Sequence, residues 1–138
     1  MLYTYSITAQ TVAADANLNF NINGVLTGCT VSHSAGTPSI QLKRPGYYMV
    51  HFNASAAATA TGDVTVQLNG NGSAIPGAIS TVNSTAATDI GNLSFTAIVR
   101  VLPTCCAVQS NPPLTLTFVN TGVEAAYSNA AVTITRLS

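Results

Sequence analysis

The sequence predicts an all-β fold, a single sandwich or barrel domain. Three observations predict it. Short runs of alternating apolar and polar residues recur, with Gly, Pro and Asn turn signals between them. No stretch carries an apolar stripe with the helical period. The chain has 138 residues, the size of one domain. Hydrophobic residues make up 47% of it, which excludes a disordered chain.

The elements follow in order. Leu2–Thr11 alternates loosely and reads as a first strand. Asn17–Asn23 puts Leu18, Phe20 and Ile22 on one face, and Gly24 and Gly28 then break the run. Cys29–Ser34 and Ser39–Leu42 are short strands around a Gly36-Thr37-Pro38 turn. Pro45-Gly46 is a turn, and Tyr47–Ser55 after it is the strongest strand in the chain. The alanine-rich Ala54–Ala60 would favour helix in isolation. The strand feeding into it and its threonines predict continued extended structure. Asp63–Asn69 alternates Val64, Val66 and Leu68. Asn69-Gly70-Asn71-Gly72 is a doubled hairpin signal, because Asn-Gly tolerates the positive φ of a tight turn. Ala74–Thr81 returns, with Pro76-Gly77 marking a bulge or a sheet edge. Asn92–Leu102, Leu114–Asn120 and Ala130–Leu137 complete the set. There is no internal repeat and no linker.

Charge excludes several partners. Charged residues make up 6% of the chain, against about 25% in an average domain. Four cations, Lys43, Arg44, Arg100 and Arg136, cannot form the basic stripe that nucleic acid requires. Nor is there a basic amphipathic face for a membrane surface, or a run of membrane-span length. No secretion signal is visible, so the chain is expected to be made in the cytosol. A neutral surface rich in Thr, Ser and Asn suits a subunit largely covered by neighbours.

Two strands point the same way. Tyr47–Ser55 has Tyr48, Val50, Phe52 and Ala54 on one face and Tyr47, Met49, His51 and Asn53 on the other. Asn92–Leu102 has Leu93, Phe95, Ala97, Val99 and Val101 on its major face, but Ile98 and Leu102 on its minor one. A strand facing water on one side should be polar there. Large side chains on both faces predict a second partner, another subunit, against the alternative of packing under a loop.

Chemistry is sparse. His33 sits between Ser32 and Ser34, but a triad needs a base oriented by a third group, and no Gly-x-Ser-x-Gly elbow occurs. No enzyme activity is expected. Asp63 and Asp89 are the only plausible loop carboxylates for calcium, which takes six to eight oxygens; no metal and no other cofactor is expected. Cys29, Cys105 and Cys106 form no disulfide framework and read as free thiols, with a Cys29 link to one of the other two left open under oxidising conditions. Asn53-Ala54-Ser55, Asn83-Ser84-Thr85 and Asn92-Leu93-Ser94 match the glycosylation pattern by chance in an Asn/Ser/Thr-rich chain. The loops Gly70–Ser73 and Val82–Asp89 are polar enough for sugar but carry no aromatic platform. Tyr127 is the nearest stacking candidate, or else packs against a subunit axis.

The run Pro45-Gly46-Tyr47-Tyr48-Met49-Val50-His51-Phe52 resembles the Pro-Gly-x-Tyr-x-(aromatic or aliphatic) strand of the complement/tumour-necrosis-factor jelly-roll superfamily. The order that follows is similar to that superfamily's bacterial and phage branch: Val64–Leu68, Asn69-Gly70, Ile75-Pro76-Gly77, a Phe95 strand, Leu114-Thr115-Leu116 before Asn120-Thr121-Gly122, and a terminal Ala131–Leu137 strand. The likeness extends to heads of collagen-like spore-surface glycoproteins and to head-fibre or decoration proteins of tailed phages, and covers Asn17 to Ser138. It implies a jelly-roll sandwich of about ten antiparallel strands, residues 17–138, that forms a homotrimer through its inner sheet. Tyr47, Met49, His51, Ile98 and Tyr127 are then expected at the trimer interface, and Tyr48, Val50, Phe52, Phe95 and Phe118 in the core. The spore proteins carry a Gly-x-y stalk that this chain lacks, which leaves residues 1–16 as an N-terminal arm or first strand. The expected function is a structural protein of a particle surface, a phage capsid decoration or head-fibre protein on the virion. A receptor- or glycan-binding tip that engages a cell-surface glycan, and a spore-surface head, are the alternatives.

Overall fold

The structure, a computed structural model, describes residues 1–85, 89–102 and 114–137. Among the described residues, eleven strands form two antiparallel sheets packed face to face. They are β1 (Leu2–Ser6), β2 (Gln10–Val12), β3 (Ile22–Leu26), β4 (Val31–His33), β5 (Ile40–Leu42), β6 (Gly46–Ala58), β7 (Gly62–Gly70), β8 (Ser73–Ser84), β9 (Gly91–Val101), β10 (Leu114–Asn120) and β11 (Ala125–Arg136). The first sheet runs β3-β1-β11-β6-β9, with β2 also paired to β11; the second runs β4-β5-β10-β7-β8.

Strand period 2 explains the layers. In β6 the buried side chains are Tyr48, Val50, Phe52, Ala54, Ala56 and Ala58, every second residue. They meet Val64, Val66 and Leu68 of β7 and Leu116 and Phe118 of β10 in one apolar core. Phenylalanines tie the sheets together at its centre. Phe52 stacks on Phe118 at 5.0 Å and on Phe95 at 5.4 Å, and Phe20 meets Phe118 edge-on at 5.5 Å. Offset and edge-on rings at these separations are attractive beyond their buried area. Tyr48 is buried, and its hydroxyl donates to the Arg44 carbonyl at 2.6 Å.

The alanine run stays extended because it is held on both sides. Ala56, Ala57 and Ala58 pair with Tyr127, Ala126 and Ala125 of β11, and Ala56 pairs with Gly91 of β9. Ladder bonds outweigh the few tenths of a kcal/mol per residue of helix preference. The β7–β8 hairpin turns at Asn71 (φ 51°) and Gly72 (φ 83°), the positive-φ pair of a tight hairpin. The ladder shifts register between Gln67 and Asn69, opposite Pro76-Gly77, so those residues sit at a bulge.

Three expectations need correction. The first strand is two, β1 and β2, and β1 lies inside the sheet between β3 and β11, so the opening residues are part of the sandwich. Asn17–Asn23 is not one strand. Leu18 and Phe20 are buried, with Asn17 bridging Val119 of the second sheet, whereas Ile22 is exposed and pairs with Tyr5 of the first. The chain crosses between sheets there, which breaks the alternation. Gly24 does not end a strand; it is the extra residue where the β1–β3 register shifts between Tyr3 and Thr4.

Candidate interaction face

The outer face of the first sheet brings together four of the five residues expected at an interface, Tyr47, Met49, His51 and Ile98. Directly opposed residues share a face, so the registers lay out its rows. Val25, Tyr3, Thr133, His51 and Thr96 form one row across five strands. Ile22, Tyr5, Ala131, Asn53 and Ser94 form the next. On the other side of His51, Thr135, Met49 and Ile98 stand abreast, and Tyr47 opposes Arg100.

The face is mixed in chemistry. Ile98 is 55% exposed and Tyr47 43%, and Met49 and His51 beside them are half-buried. The Arg100 guanidinium lies 5.6 Å from the Tyr47 ring centre, within cation–π range. His51 Nδ1 is 2.8 Å from Thr96 Oγ1. Tyr3 and Tyr5 contact each other at 5.2 Å. Between these tyrosines and His51 lies a shallow depression of about 190 Å³, bordered also by Asn53, Asn129 and Thr133. Tyr3 and Tyr5 were missed by sequence reading. Their signal was the alternation of Leu2, Thr4 and Ser6, all buried, with two aromatic rings on the opposite face.

Tyr127 does not belong to this face. It is fully buried in the sandwich, and its hydroxyl donates to Asn120 Oδ1 at 2.9 Å. Asn120 is buried too, and its Nδ2 donates to the carbonyls of Val12 at 3.0 Å and Val123 at 2.9 Å. The pair joins β10 and β11 to the end of β2. Burial pushes the Tyr127 phenol well above the usual range. It can serve neither as an interface residue nor as a sugar platform. Tyr48, Val50, Phe52, Phe95 and Phe118 are all in the core cluster.

The other candidates have structural surroundings. His33 is buried in the sandwich, with Nδ1 2.6 Å from Asn23 Oδ1 and Nε2 2.8 Å from the Thr37 carbonyl. Asn23 Nδ2 donates in turn to the His33 carbonyl at 2.8 Å. The imidazole thus ties β3 of one sheet to β4 of the other. Asp63 accepts from Asn83 Nδ2 at 2.7 Å, and Asp89 from the Thr85 hydroxyl. Among the described residues no His, Cys, Asp or Glu group gathers at metal-binding distance, and no helix is long and apolar enough to cross a membrane. Cys29 is exposed and free; Cys105 and Cys106 lie outside the described residues.

No family model matches the chain, and no curated protein matches it. Solved structures do. Murine APRIL at pH 8.0 superposes with a TM-score of 0.62 at 10% identity, covering 99% of this chain and 97% of that one. Murine APRIL at pH 5.0 gives the same score and identity. The PRD1 vertex protein P5 superposes with a TM-score of 0.56 at 16% identity, covering 99% and 96%. At such identities the likeness is one of fold. With its two antiparallel sheets and strand order, the chain has the jelly-roll sandwich fold of these structures.

Proposed function

We propose that this chain is a non-enzymatic structural protein of a particle surface, a phage capsid decoration or head-fibre protein, working as a homotrimer through the outer face of its first sheet. One observation carries the reading. β6 and its neighbour β9, at one side of the first sheet, present Tyr47, Met49, His51 and Ile98 to the outside. Tyr, Met and Arg are the side chains enriched at protein interfaces, and Lys, Asp and Glu are depleted there. Arg100 is the sole charged residue among the rows described above, and no carboxylate stands on them. The likeness to a vertex protein of PRD1 supports the particle setting.

Particles made with and without the chain provide the test. The reading expects the chain to co-purify with the assembled particle and to add external density. Particles that never carry it would refute the reading. A second reading, a glycan-binding tip, draws on the depression between Tyr3, Tyr5 and His51, which offers rings beside amides and hydroxyls. That depression lies on the same face, so subunit contact and sugar binding there compete. A glycan array separates them, since decoration alone predicts no saturable ligand.

A further inference from the structure

The chain has eight charged side chains, and the fold sorts them by sign. Lys43 and Arg44 lie just before the start of β6, at the same end as the pair Gly46 and Val101. Arg100 opposes Tyr47 there. Arg136 opposes Tyr48 and donates from Nη2 to the Pro45 carbonyl at 2.7 Å. All four cations are therefore at one end of the strands.

The four acids are at the other. Glu124 precedes Ala125, which pairs with Ala58 at the far end of β6, and its carbonyl accepts from Thr59 N at 3.0 Å. Asp63 follows the same turn, with its carbonyl bonded by Val123 N at 3.0 Å. Asp89 lies two residues before Gly91, the partner of Ala56. Asp15 N donates to the carbonyl of Asn120, beyond which the chain turns to Glu124. All eight side chains are exposed. The 13 residues of β6 separate the two ends, a distance of roughly 40 Å at strand rise.

We propose that this polarity is an end-to-end docking device, in which the basic end of one copy seats on the acidic end of a second. The two ends match in number and oppose in sign, while the flanks between them carry no fixed charge, so only the end-on approach gains Coulomb energy. Exposed apolar side chains stand at both ends, Leu102 and Leu137 at the basic one and Ile90 at the acidic one. The contact joins different surfaces and does not close on itself, so it propagates as a filament. Arg100, beside Tyr47 on the outer face of the first sheet, is shared by the two surfaces, while Lys43, Arg44 and Arg136 leave that face free, so the end-on contact holds for one chain or for a closed ring of chains.

Light scattering of the full chain across salt tests it. At about 0.01 M salt the Debye length is near 30 Å, and at about 1 M near 3 Å. The proposal expects mass to grow with concentration in low salt and association to weaken at least tenfold in high salt. Lys43→Glu with Arg44→Glu, and separately Asp63→Lys with Glu124→Lys, should each abolish the growth. An equal mixture of the two variants should associate only as far as two-unit complexes, because the intact acidic end of the first seats on the intact basic end of the second and both remaining ends are neutralised. Wild-type protein that shows no growth in low salt, growth that survives high salt, or a mixture that forms no two-unit complexes would each overturn the proposal. The wild-type salt series stands by itself if a variant fails to fold.

Discussion

Tyr127→Phe removes one oxygen from the centre of the sandwich and should cost the fold without touching assembly. The ring stays, so apolar burial is unchanged. The hydroxyl that donates to Asn120 Oδ1 at 2.9 Å is lost, and both residues are fully buried. The Asn120 amide cannot turn to compensate, because its Nδ2 is held by the Val12 and Val123 carbonyls. A buried acceptor left without a partner costs about 1–3 kcal/mol. For a chain of this size that is a fall in Tm of roughly 4–12 °C, at about 4 °C per kcal/mol. Asn120→Ala should cost more, since it leaves the phenol and two carbonyls unsatisfied. Denaturant unfolding of the two variants measures this, beside their sedimentation. A Tyr127→Phe change within about 0.5 kcal/mol of wild type, the range of ordinary surface substitutions, would show that the Tyr127–Asn120 hydrogen bond does not hold the sandwich together. So would a variant that keeps its stability and loses its assembly.

Met49→Asp and Ile98→Asp should do the reverse. Both side chains lie on the outer surface of the single chain, so the fold survives, while an unpaired charge at a covered contact costs about 3–5 kcal/mol of association; sedimentation equilibrium reads the loss, and retained assemblies would show that another face is used. Alkaline unfolding should expose the Tyr127 phenol. Its pKa is raised by burial, so the unfolded chain releases that proton near pH 10 while the folded chain keeps it. The contribution is intact below that pH and is lost above it, by up to about 1.4 kcal/mol per pH unit, and Tyr127→Phe should flatten the slope in a pH series of unfolding curves. Gly122→Ala should destabilise by about 1–3 kcal/mol, because a Cβ there would strike backbone, the Asp63 carbonyl oxygen and Thr65 N at 2.7 Å, rather than a movable side chain; differential scanning calorimetry would show it.

The long strands were legible because one physical pattern governs them. Tyr48, Val50 and Phe52 alternate with Tyr47, Met49 and His51, and β6 buries the first set and presents the second. What hid from the sequence was wherever alternation changes phase. In β11, Ala125 and Tyr127 point inward, and so do Ala130, Val132 and Ile134. The set switches from odd to even across a register shift between Ser128 and Ala131, with Asn129 at φ 52°. A one-residue slip moves every side chain to the other face, so Tyr127 could not be placed without the bulge. The bulge at Gly24 and the crossing between Phe20 and Ile22 misled for the same reason. The separation of charge by sign was invisible for a different one. Lys43 and Arg136 are far apart in sequence, and only the antiparallel ladders bring them to one end.

On the proposed function, copies of this chain meet through the outer face of the first sheet. Sedimentation of the wild type at micromolar concentration tests it most directly, in about 1 M salt, where end-to-end attraction is screened to roughly 3 Å. A single closed species of three chains is expected, which Met49→Asp converts to folded monomers. A wild-type protein that sediments as a monomer under those conditions would contradict it.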